Sequence, residues 1–379
     1  MSARPWLIVT GDFTPTGGMD RANHALASYL LREGHEVHLV AHRVADDLRE
    51  LGAEVHAVAK PLGSYFLAEP LLDRAGRQWA RRLAGRGVRV VVNGGGCQAE
   101  GTCWVHYVHA AWEPPPPRAS LARRVKAAGH RRRALEQERR ALERARLVIS
   151  NSERTTRDLV GRLGVSEGRI ERVYLGVERE RFVPAAPEAR AAARGRLGWE
   201  RPVALFVGGL GDRRKGFDRA LAAWVQRAGD PAWDLDLVHV GGGPGLGEWE
   251  GRVADRGLSG RVRFLGFRAD IPELLQAADL LVSPTRYEPY GLGVHEALSC
   301  GLPAIVSRGA GVAERYTPEL RELLLADPED CGELVRRIEA WRREPEAWAE
   351  RATRLGDALR ERGWDEVAAD LCARIEART

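Results

Sequence analysis

The sequence has no run of about 18 consecutive apolar residues, the length that a membrane-spanning helix needs. It also has no signal-peptide pattern, because residues 1–10 pass directly into the strand-like segment Leu7–Thr10. These two absences predict a cytoplasmic protein, with at most a peripheral association with the inner face of the membrane.

Cysteine is scarce, and its positions match neither a disulfide framework nor a metal site. The cysteines are odd in number and scattered, without a Cys-x-x-Cys pair or a cluster with histidine. We therefore expect reduced thiols and no bound metal. The five positions are Cys97, Cys103, Cys300, Cys331 and Cys372.

Lysine is rarer still, because 55 of the 58 basic residues are arginine and only Lys60, Lys126 and Lys215 are lysine. The formal charge of +5 and the isoelectric point near 9.1 suit an anionic small ligand, an anionic membrane or nucleic acid. No basic segment interleaved with aromatic residues is present, so we expect no nucleic-acid partner.

The first glycine loop lacks the dinucleotide-binding fingerprint. An apolar strand over Trp6–Thr10 leads into Gly-Asp-Phe-Thr-Pro-Thr-Gly-Gly and then a helix over 19–33. Without Gly-x-Gly-x-x-Gly there is no evidence for a nicotinamide cofactor. The order strand, loop, helix still places Gly17 and Gly18 where a diphosphate can bind, with a plain tight turn as the alternative. Asp20 is either an acceptor-side residue or a first-turn helix charge.

Strand-like runs alternate with helical stretches along the whole chain, which predicts an α/β fold with doubly wound parallel sheets. A length of 379 residues exceeds one ordinary core and predicts two domains. The predicted boundaries are a Rossmann-like N-terminal domain over 1–184, a linker over 185–200, a Rossmann-like C-terminal domain over 201–360 and a last helix over 361–379.

Two histidines lie in a strand-like run of the first domain, one within the run and one at its end. The run over 103–109 is predicted as a strand, and ligands on such sheets gather at the carboxyl ends of strands. His109 is therefore a candidate site residue, with His106 as the second choice on the acceptor side. A purely structural histidine is the alternative at this position.

The stretch Ser283–Gly301, with the sequence SPTRYEPYGLGVHEALSCG, is the most informative part of the chain. It leaves an apolar strand, passes through a loop with Glu288, and enters a helix near Leu292 that carries Glu296. Glycines between the two carboxylates allow the backbone to approach a ligand, and the first helical amides can point at an anion. This arrangement outlines a sugar-nucleotide site.

The residues around these glutamates carry a family resemblance. Glu288–Gly291, Glu296-Ala297 and Cys300–Ala304 resemble the E-x7-E signature of the family-four retaining glycosyltransferases, also called glycosyl transferases group 1. Val173–Pro184 resembles a segment that closes the first domain in this family, although Leu175 stands where asparagine is usual. The resemblance covers nearly the whole chain and is strongest from Phe206 to Ser307.

The resemblance implies the GT-B fold, in which two facing Rossmann-like domains enclose an interdomain cleft. The N-terminal domain would bind the acceptor, the C-terminal domain would bind the nucleotide-sugar donor, and the last helix would cross back to the first domain. The implied reaction is a metal-independent, retaining transfer of a hexose from a nucleoside diphosphate sugar to a hydroxyl acceptor. UDP-glucose or a similar donor is favoured, and no cofactor is implied. Glycolipids, polysaccharide precursors and natural products are the implied acceptors.

The same resemblance assigns roles to individual residues. Glu288 would hold the hydroxyls of the donor sugar, Glu296 would hold the ribose, and His109 would lie beside the donor sugar. Lys215 matches the lysine that stabilises the leaving diphosphate. The further donor-binding candidates are Gly17, Gly18, Gly209, Arg268, Tyr290, Gly291, Leu292 and Gly293.

The loop that carries Lys215 departs from the family pattern at one place. The arginine that assists the lysine usually follows the first glycine after the strand, but Gly209 occupies that position. Either Arg213 or Arg214 must take its place, and the sequence does not choose between them. Arg268 could stack on the nucleobase or be an ordinary exposed arginine.

A long helical pattern over 118–146 is dense in arginine. In related enzymes that act on lipids, a basic helix in this domain docks on anionic membrane, so the helix is a candidate membrane contact. The glutamates spaced between its arginines also suit a solvated helix with internal salt bridges.

Three other functions fit parts of the pattern. A sugar-nucleotide epimerase of the same fold would need no acceptor. A pyridoxal-dependent phosphorylase needs a Schiff-base lysine in the second domain, and no lysine follows Lys215. A non-catalytic basic binding protein would not depend on the two glutamates and the lysine.

Overall fold

The computed structural model describes residues 4–114 and 121–378, apart from the side chains of Ala122 and Arg123. Residues 118–120 and the Arg123 side chain, which belong to the predicted basic helix, lie outside this description. The chain divides into two compact units. The first runs to Gly176 and includes the segment from Trp364 onward, and the second is Val177–Gly363.

The first unit is built on a seven-stranded sheet in which every neighbouring pair is parallel. Its central strands are apolar and buried on both faces, which is typical of a parallel sheet covered by helices. The strands are β1 Trp6–Val9, β3 Val37–Ala41, β5 Glu54–Ala57, β6 Arg89–Asn93, β7 Gly101–Val105, β8 Ala145–Ser150 and β9 Ile170–Arg172, with β2 Asp12–Phe13 and β4 Arg43–Val44 as a separate parallel pair. The order across the sheet is β5-β3-β1-β6-β7-β8-β9.

Six helices belong to the described part of the first unit. They are α1 Gly18–Arg32, α2 Asp46–Glu50, α3 Tyr65–Leu83, α4 Leu121–Arg144, α5 Glu153–Leu163 and, from the end of the chain, α13 Trp364–Ala377. The last helix lies against α1, where Arg32 donates to Asp365 at 2.5 and 3.1 Å. The C-terminal segment is thus part of the first unit, although 187 residues separate it from Gly176.

The second unit has a six-stranded parallel sheet in the order β12-β11-β10-β13-β14-β15. Its strands are β10 Val203–Val207, β11 Asp236–Val240, β12 Val262–Phe264, β13 Leu280–Ser283, β14 Ala304–Ser307 and β15 Leu324–Leu325. Its helices are α6 Pro187–Leu197, α7 Phe217–Gln226, α8 Leu246–Ala254, α9 Ile271–Ala277, α10 Leu292–Ser299, α11 Cys331–Arg343 and α12 Pro345–Arg360.

The strand order of the second sheet positions the site. The chain winds outward in one direction from β10 through β11 to β12, and in the other direction from β13 through β14 to β15. In such open sheets ligands bind beyond the carboxyl ends of the strands at the point where the order reverses. Here that point lies between β10 and β13. Two doubly wound parallel sheets confirm the predicted fold class.

Two features predicted from the sequence differ from the structure. Strand β7 ends at Val105 instead of reaching His109, because the Glu138 carboxylate accepts the His109 and Ala110 amides at 2.7 and 3.1 Å and starts a 3-10 turn. The predicted linker contains α6, which belongs to the second unit. The last helix, Trp364–Ala377, lies within the predicted segment 361–379. Across the described ranges, no helix is long and apolar enough to cross a membrane.

Candidate functional site

Two loops meet at the switch point of the second sheet, one after β10 and one after β13. Their contact depends on Gly216, whose φ is +80° and whose missing Cβ would lie 2.0 Å from the Pro284 carbonyl oxygen. The Thr285 hydroxyl donates to the Arg214 carbonyl at 2.9 Å, and the Arg286 amide donates to the same oxygen at 2.8 Å. The two loops therefore pack against each other at the carboxyl ends of β10 and β13.

A buried carboxylate lies between two cations at this junction. Lys215 Nζ is 2.5 Å from Glu288 Oε2, and Arg214 Nη1 is 3.4 Å from Glu288 Oε1. The Glu288 side chain is 12% exposed. Burial by itself raises the pKa of Glu288, but the Lys215 ammonium and the Arg214 guanidinium outweigh it and lower the pKa. Glu288 thus stays ionised at neutral pH.

The structure distinguishes the two adjacent arginines. The Arg214 guanidinium is held by the Asp212 carboxylate at 3.0 Å and by the Tyr287 carbonyl at 3.0 Å, beside Glu288. Arg213 is exposed, and its backbone carbonyl accepts from Arg286 at 2.6 Å. Arg214 and Lys215 therefore form a cluster with Glu288, whereas Arg213 has no described contact with Glu288.

The loop after β13 turns into α10 at Gly291. Its φ is +110°, and a Cβ at this position would lie 2.9 Å from Val312 Cγ1 and 3.3 Å from Glu288 Cγ. Only glycine fits there without strain. The helix begins at Leu292, so the amides of Leu292 and Gly293 are in the first turn, where backbone N–H groups have no acceptor within the helix. Glu288 lies directly before this N-terminus.

Glu296 lies one turn into α10 and is buried, with 6% of its surface exposed. Tyr290 is also buried, and its hydroxyl is 2.6 Å from His295 Nδ1. Burial lowers the pKa of His295 to about 3, with a smaller contribution from Arg315. The imidazole is therefore neutral and pairs with the phenol, which fixes the loop residue Tyr290 against the helix.

The glycine turns after β10 and β11 pack closely together. A Cβ on Gly241, whose φ is +146°, would lie 2.1 Å from the Gly208 carbonyl oxygen. The Leu210 amide donates to the Gly242 carbonyl at 3.3 Å, which fixes the neighbouring Gly209 at the same sheet edge. Arg268, in the loop after β12, pairs with Asp270 through two nitrogens.

The predicted first-unit residues lie near the carboxyl end of the first sheet. Gly17 has a φ of +82°, and α1 begins at Gly18. Asp20 is half-buried in the first turn of α1, and its pKa is raised to about 6 by burial and then by the nearby Asp12 carboxylate. Asp12 accepts from the Tyr65 hydroxyl at 2.6 Å.

The two predicted histidines have different surroundings. His109 is exposed, and its backbone amide is held by Glu138. The His106 ring packs against Trp104 at a centroid distance of 4.5 Å, and its Nε2 is buried with no hydrogen-bond partner among the described residues. Burial lowers the pKa of His106 to about 3, so this imidazole is neutral.

Comparison with known protein families covers both units. A family profile described as "Glycosyltransferase Family 4" matches residues 16–181, and one described as "Glycosyl transferases group 1" matches residues 201–343. The two matches together include both glycine loops and the segment from Glu288 to Glu296. The chain belongs to the family-four, group 1 glycosyltransferases.

Individual proteins are similar to this chain in sequence or in fold. The chain is 31% identical over 248 residues to mannosylfructose-phosphate synthase of Agrobacterium fabrum. The alignment covers 62% of this chain and 53% of that protein. It thus spans about half the length of this curated relative. WaaG, a glycosyltransferase involved in lipopolysaccharide biosynthesis, superposes with a TM-score of 0.77 at 20% identity, covering 97% of this chain and 99% of WaaG.

A second solved structure, Anabaena Alr3699/HepE in complex with UDP and glucose, superposes with a TM-score of 0.73 at 19% identity. The match covers 99% of this chain and 100% of that chain. At these identities the two structures establish the shared fold. Both confirm the GT-B fold predicted from the sequence.

The structure adds residues to the site that the family resemblance did not single out. The Arg286 guanidinium donates to both Asp218 oxygens at 2.7 Å and ties the loop after β13 to the start of α7. Thr285 bonds to the Arg214 and Tyr287 carbonyls. Asp218 lies three residues after Lys215, and its partner Arg286 lies two residues before Glu288, so both are close in sequence to predicted site residues.

Proposed function

We propose that this chain is a retaining glycosyltransferase that moves a hexose from a nucleoside diphosphate sugar to a hydroxyl acceptor. One observation carries the proposal: the largely buried Glu288 carboxylate lies between Lys215 and Arg214, in the loop that leads into the helix with Glu296. Hydroxyl-binding carboxylates and phosphate-binding cations are the two chemistries that a sugar nucleotide requires.

The cation pair is suited to the leaving group. When the bond between the sugar C1 and the diphosphate oxygen breaks, negative charge develops on the diphosphate, and preorganised cations stabilise it. An ammonium has three N–H donors, and the contact with Glu288 uses one of them. Lys215 is 27% exposed, so its remaining donors can reach phosphate oxygens.

The other residues have complementary roles in the proposed reaction. Glu288 accepts from the donor-sugar hydroxyls, and Glu296 accepts from the ribose hydroxyls. The backbone amides of Tyr290 to Gly293 contact the sugar and the phosphates. The acceptor oxygen forms the new bond to C1 on the face that the diphosphate leaves. The acceptor proton passes to the departing diphosphate oxygen, which balances the reaction without another reactant.

A uridine diphosphate hexose is the proposed donor. The solved fold neighbour that holds UDP and glucose supports this choice. The proposed acceptor is the hydroxyl of a glycolipid, a polysaccharide precursor or a natural product. His109, His106 and Asp20 are the proposed residues on the acceptor side and beside the donor sugar.

An anionic membrane surface is a further proposed partner. Leu62 and Tyr65 are exposed near the start of α3, and Leu121 and Val125 are exposed at the start of α4. The two helices touch through Phe66 and His130, whose ring centroids are 4.0 Å apart. Exposed apolar residues beside arginines suit an interfacial contact. Flotation with anionic vesicles but not with neutral ones is expected, and equal binding to both would contradict an electrostatic contact.

The donor proposal is tested by calorimetry and thermal unfolding with UDP, GDP and ADP, each also as its glucose or mannose conjugate. We expect one nucleotide to bind and to raise the melting temperature, because a ligand that binds only the folded state stabilises it. Glu296→Ala should abolish the response, since the ribose contact is lost. The matched control is Glu250→Ala on the exposed side of α8.

The binding results distinguish a glycosyltransferase from an epimerase and from a non-catalytic binding protein. Binding of one nucleotide that Glu296→Ala removes and Glu250→Ala retains supports the donor site and identifies the base. Conversion of a sugar nucleotide into an isomer without any acceptor would instead indicate an epimerase. No response to any nucleotide would favour a non-catalytic binding protein.

A further inference from the structure

A cluster of histidines and glutamates lies on the edge of the first sheet, outside the site described above. The tripeptide Glu-Val-His occurs twice, at residues 36–38 before and in β3 and at residues 54–56 in β5. In the parallel register His38 lies opposite Glu54, and Val40 lies opposite His56. Because alternate residues of a strand share a face, Glu54 and His56 both reach His38.

Three potential ligand atoms converge in this cluster. His38 Nδ1 is 3.0 Å from His56 Nε2 and 3.2 Å from Glu54 Oε2, and all three atoms lie within 4.8 Å of one another. Ligands about 2.0–2.1 Å from a tetrahedral zinc ion lie about 3.3 Å from each other. The two short separations already match this spacing closely. The Glu54 side chain is 58% exposed, so it can rotate and bring its carboxylate oxygen closer to His56 Nε2.

The orientation of His38 is fixed by a second carboxylate. His38 Nε2 is 2.9 Å from Glu36 Oε1, and Arg86 binds both oxygens of Glu36. Donation of the Nε2 proton to Glu36 leaves the lone pair of Nδ1 directed toward His56 and Glu54. A carboxylate behind a histidine is the usual support of a metal-binding imidazole, because it sets the tautomer and the ring orientation.

The surroundings hold the second imidazole without blocking it. The His56 ring stacks on Trp79 of α3, with a centroid distance of 3.5 Å and an interplanar angle of 13°. Stacking uses the faces of the ring, whereas a metal binds at the nitrogen in the plane of the ring. His38 itself is buried in the sheet. The buried His38, the stacked His56 and the exposed Glu54 together form a site with an open side toward solvent.

We propose that His38 Nδ1, His56 Nε2 and a Glu54 carboxylate oxygen bind a divalent transition cation of the zinc class. Two imidazoles and one carboxylate with a remaining position for water form a known type of zinc coordination. Bound metal replaces the proton that the two histidines share and joins the edge strand β5 to β3. The site lies on the first unit and contains none of the residues proposed for glycosyl transfer.

The test is calorimetric titration of the full chain with Zn²⁺ in a non-chelating buffer, together with the visible absorption spectrum after addition of Co²⁺. We expect one Zn²⁺ per chain and a cobalt spectrum typical of nitrogen and oxygen ligands. His56→Gln and Glu54→Gln should each weaken binding by at least about tenfold, and Glu36→Gln by about 10–100-fold through the loss of its support. The buried His38 is left unchanged, so that folding is preserved.

His24→Gln is the matched control, because His24 also pairs with a carboxylate, Asp47 at 2.8 Å, but is not part of the three-ligand cluster. It should bind Zn²⁺ as the parent does. Absence of binding to the parent would overturn the proposal. Equal affinities of His56→Gln and His24→Gln, or a sulfur-to-cobalt charge-transfer band from cysteine ligation, would also overturn it.

Discussion

At the scale of single residues, the site depends on how buried charges are paired. Glu288 is largely buried, and a lone carboxylate in such a place would be costly. Lys215 and Arg214 make its ionised form favourable and lower its pKa. The same contacts hold the two cations at the sheet edge, so the carboxylate and the cations position one another. This mutual positioning explains why Arg214, and not Arg213, completes the cluster.

Substitution of Lys215 by alanine should mainly affect turnover. The variant loses one preorganised donor to the developing charge of the diphosphate, which typically costs about 10²–10³ in kcat. The measurement is the steady-state rate of sugar transfer with the donor identified by binding. Lys126→Ala removes an exposed lysine of α4 and serves as the control. Normal turnover of Lys215→Ala would refute the role of this lysine.

Several positions in the site were predictable from the sequence, and others were not. The loop with Glu288, the helix start at Leu292 and the position of Glu296 in that helix are as the sequence indicated. The choice between Arg213 and Arg214 depended on which side chain turns inward toward Glu288. The pairing of Arg286 with Asp218 joins positions 68 residues apart. Such a contact cannot be predicted from the sequence around either residue.

At the scale of elements, the site is formed by loops at the ends of parallel strands. The loops after β10 and β13 are far apart in sequence, but their strands are neighbours in the sheet. Glycines permit the loops to touch, because a side chain at Gly216 would collide with the Pro284 carbonyl. The adjacent residues Lys215 and Gly216 thus have different structural roles. Lys215 pairs with Glu288, and Gly216 allows the loop that carries Glu288 to approach.

Substitution of Gly216 by alanine should lower the free energy of unfolding. An alanine forced to a φ of +80° costs about 1–3 kcal/mol, and the contact with Pro284 adds to this. Denaturant unfolding checks the loss. Gly195→Ala, in helix α6 with no atom within 4 Å of the added Cβ, should instead stabilise by about 0.5–1 kcal/mol. Equal effects of the two substitutions would contradict the loop contact.

At the scale of the whole molecule, the chain forms two units that are not two continuous segments. Helix α13 completes the first unit, and its buried residues include Val367, Leu371 and Ile375. The stability of the N-terminal half therefore depends on residues at the other end of the chain. The family resemblance predicted a last helix that crosses back to the first domain, and α13 belongs to the first unit.

Substitution of Leu371 by alanine should destabilise the first unit. Leu371 is fully buried, and removal of a buried leucine side chain typically costs about 2–5 kcal/mol. Hydrogen exchange should become faster in α1 and β1 while β10 and β13 are unaffected. Leu334→Ala in α11, also buried, is the control and should have the opposite pattern. Faster exchange in both units with either variant would show that the units do not unfold separately.

The fold class could be predicted from the sequence, because apolar strands alternate with helices along the chain. The family could be predicted from the residues around Glu288 and Glu296, which resemble its signature. The strand-loop-helix order of that segment also depends only on residues close together in the chain. The tertiary structure alone decided which arginine joins Lys215 and where β7 ends. It alone also brought His38 and His56 together, because strand register and burial depend on contacts between residues distant in sequence. No local pattern encodes such contacts.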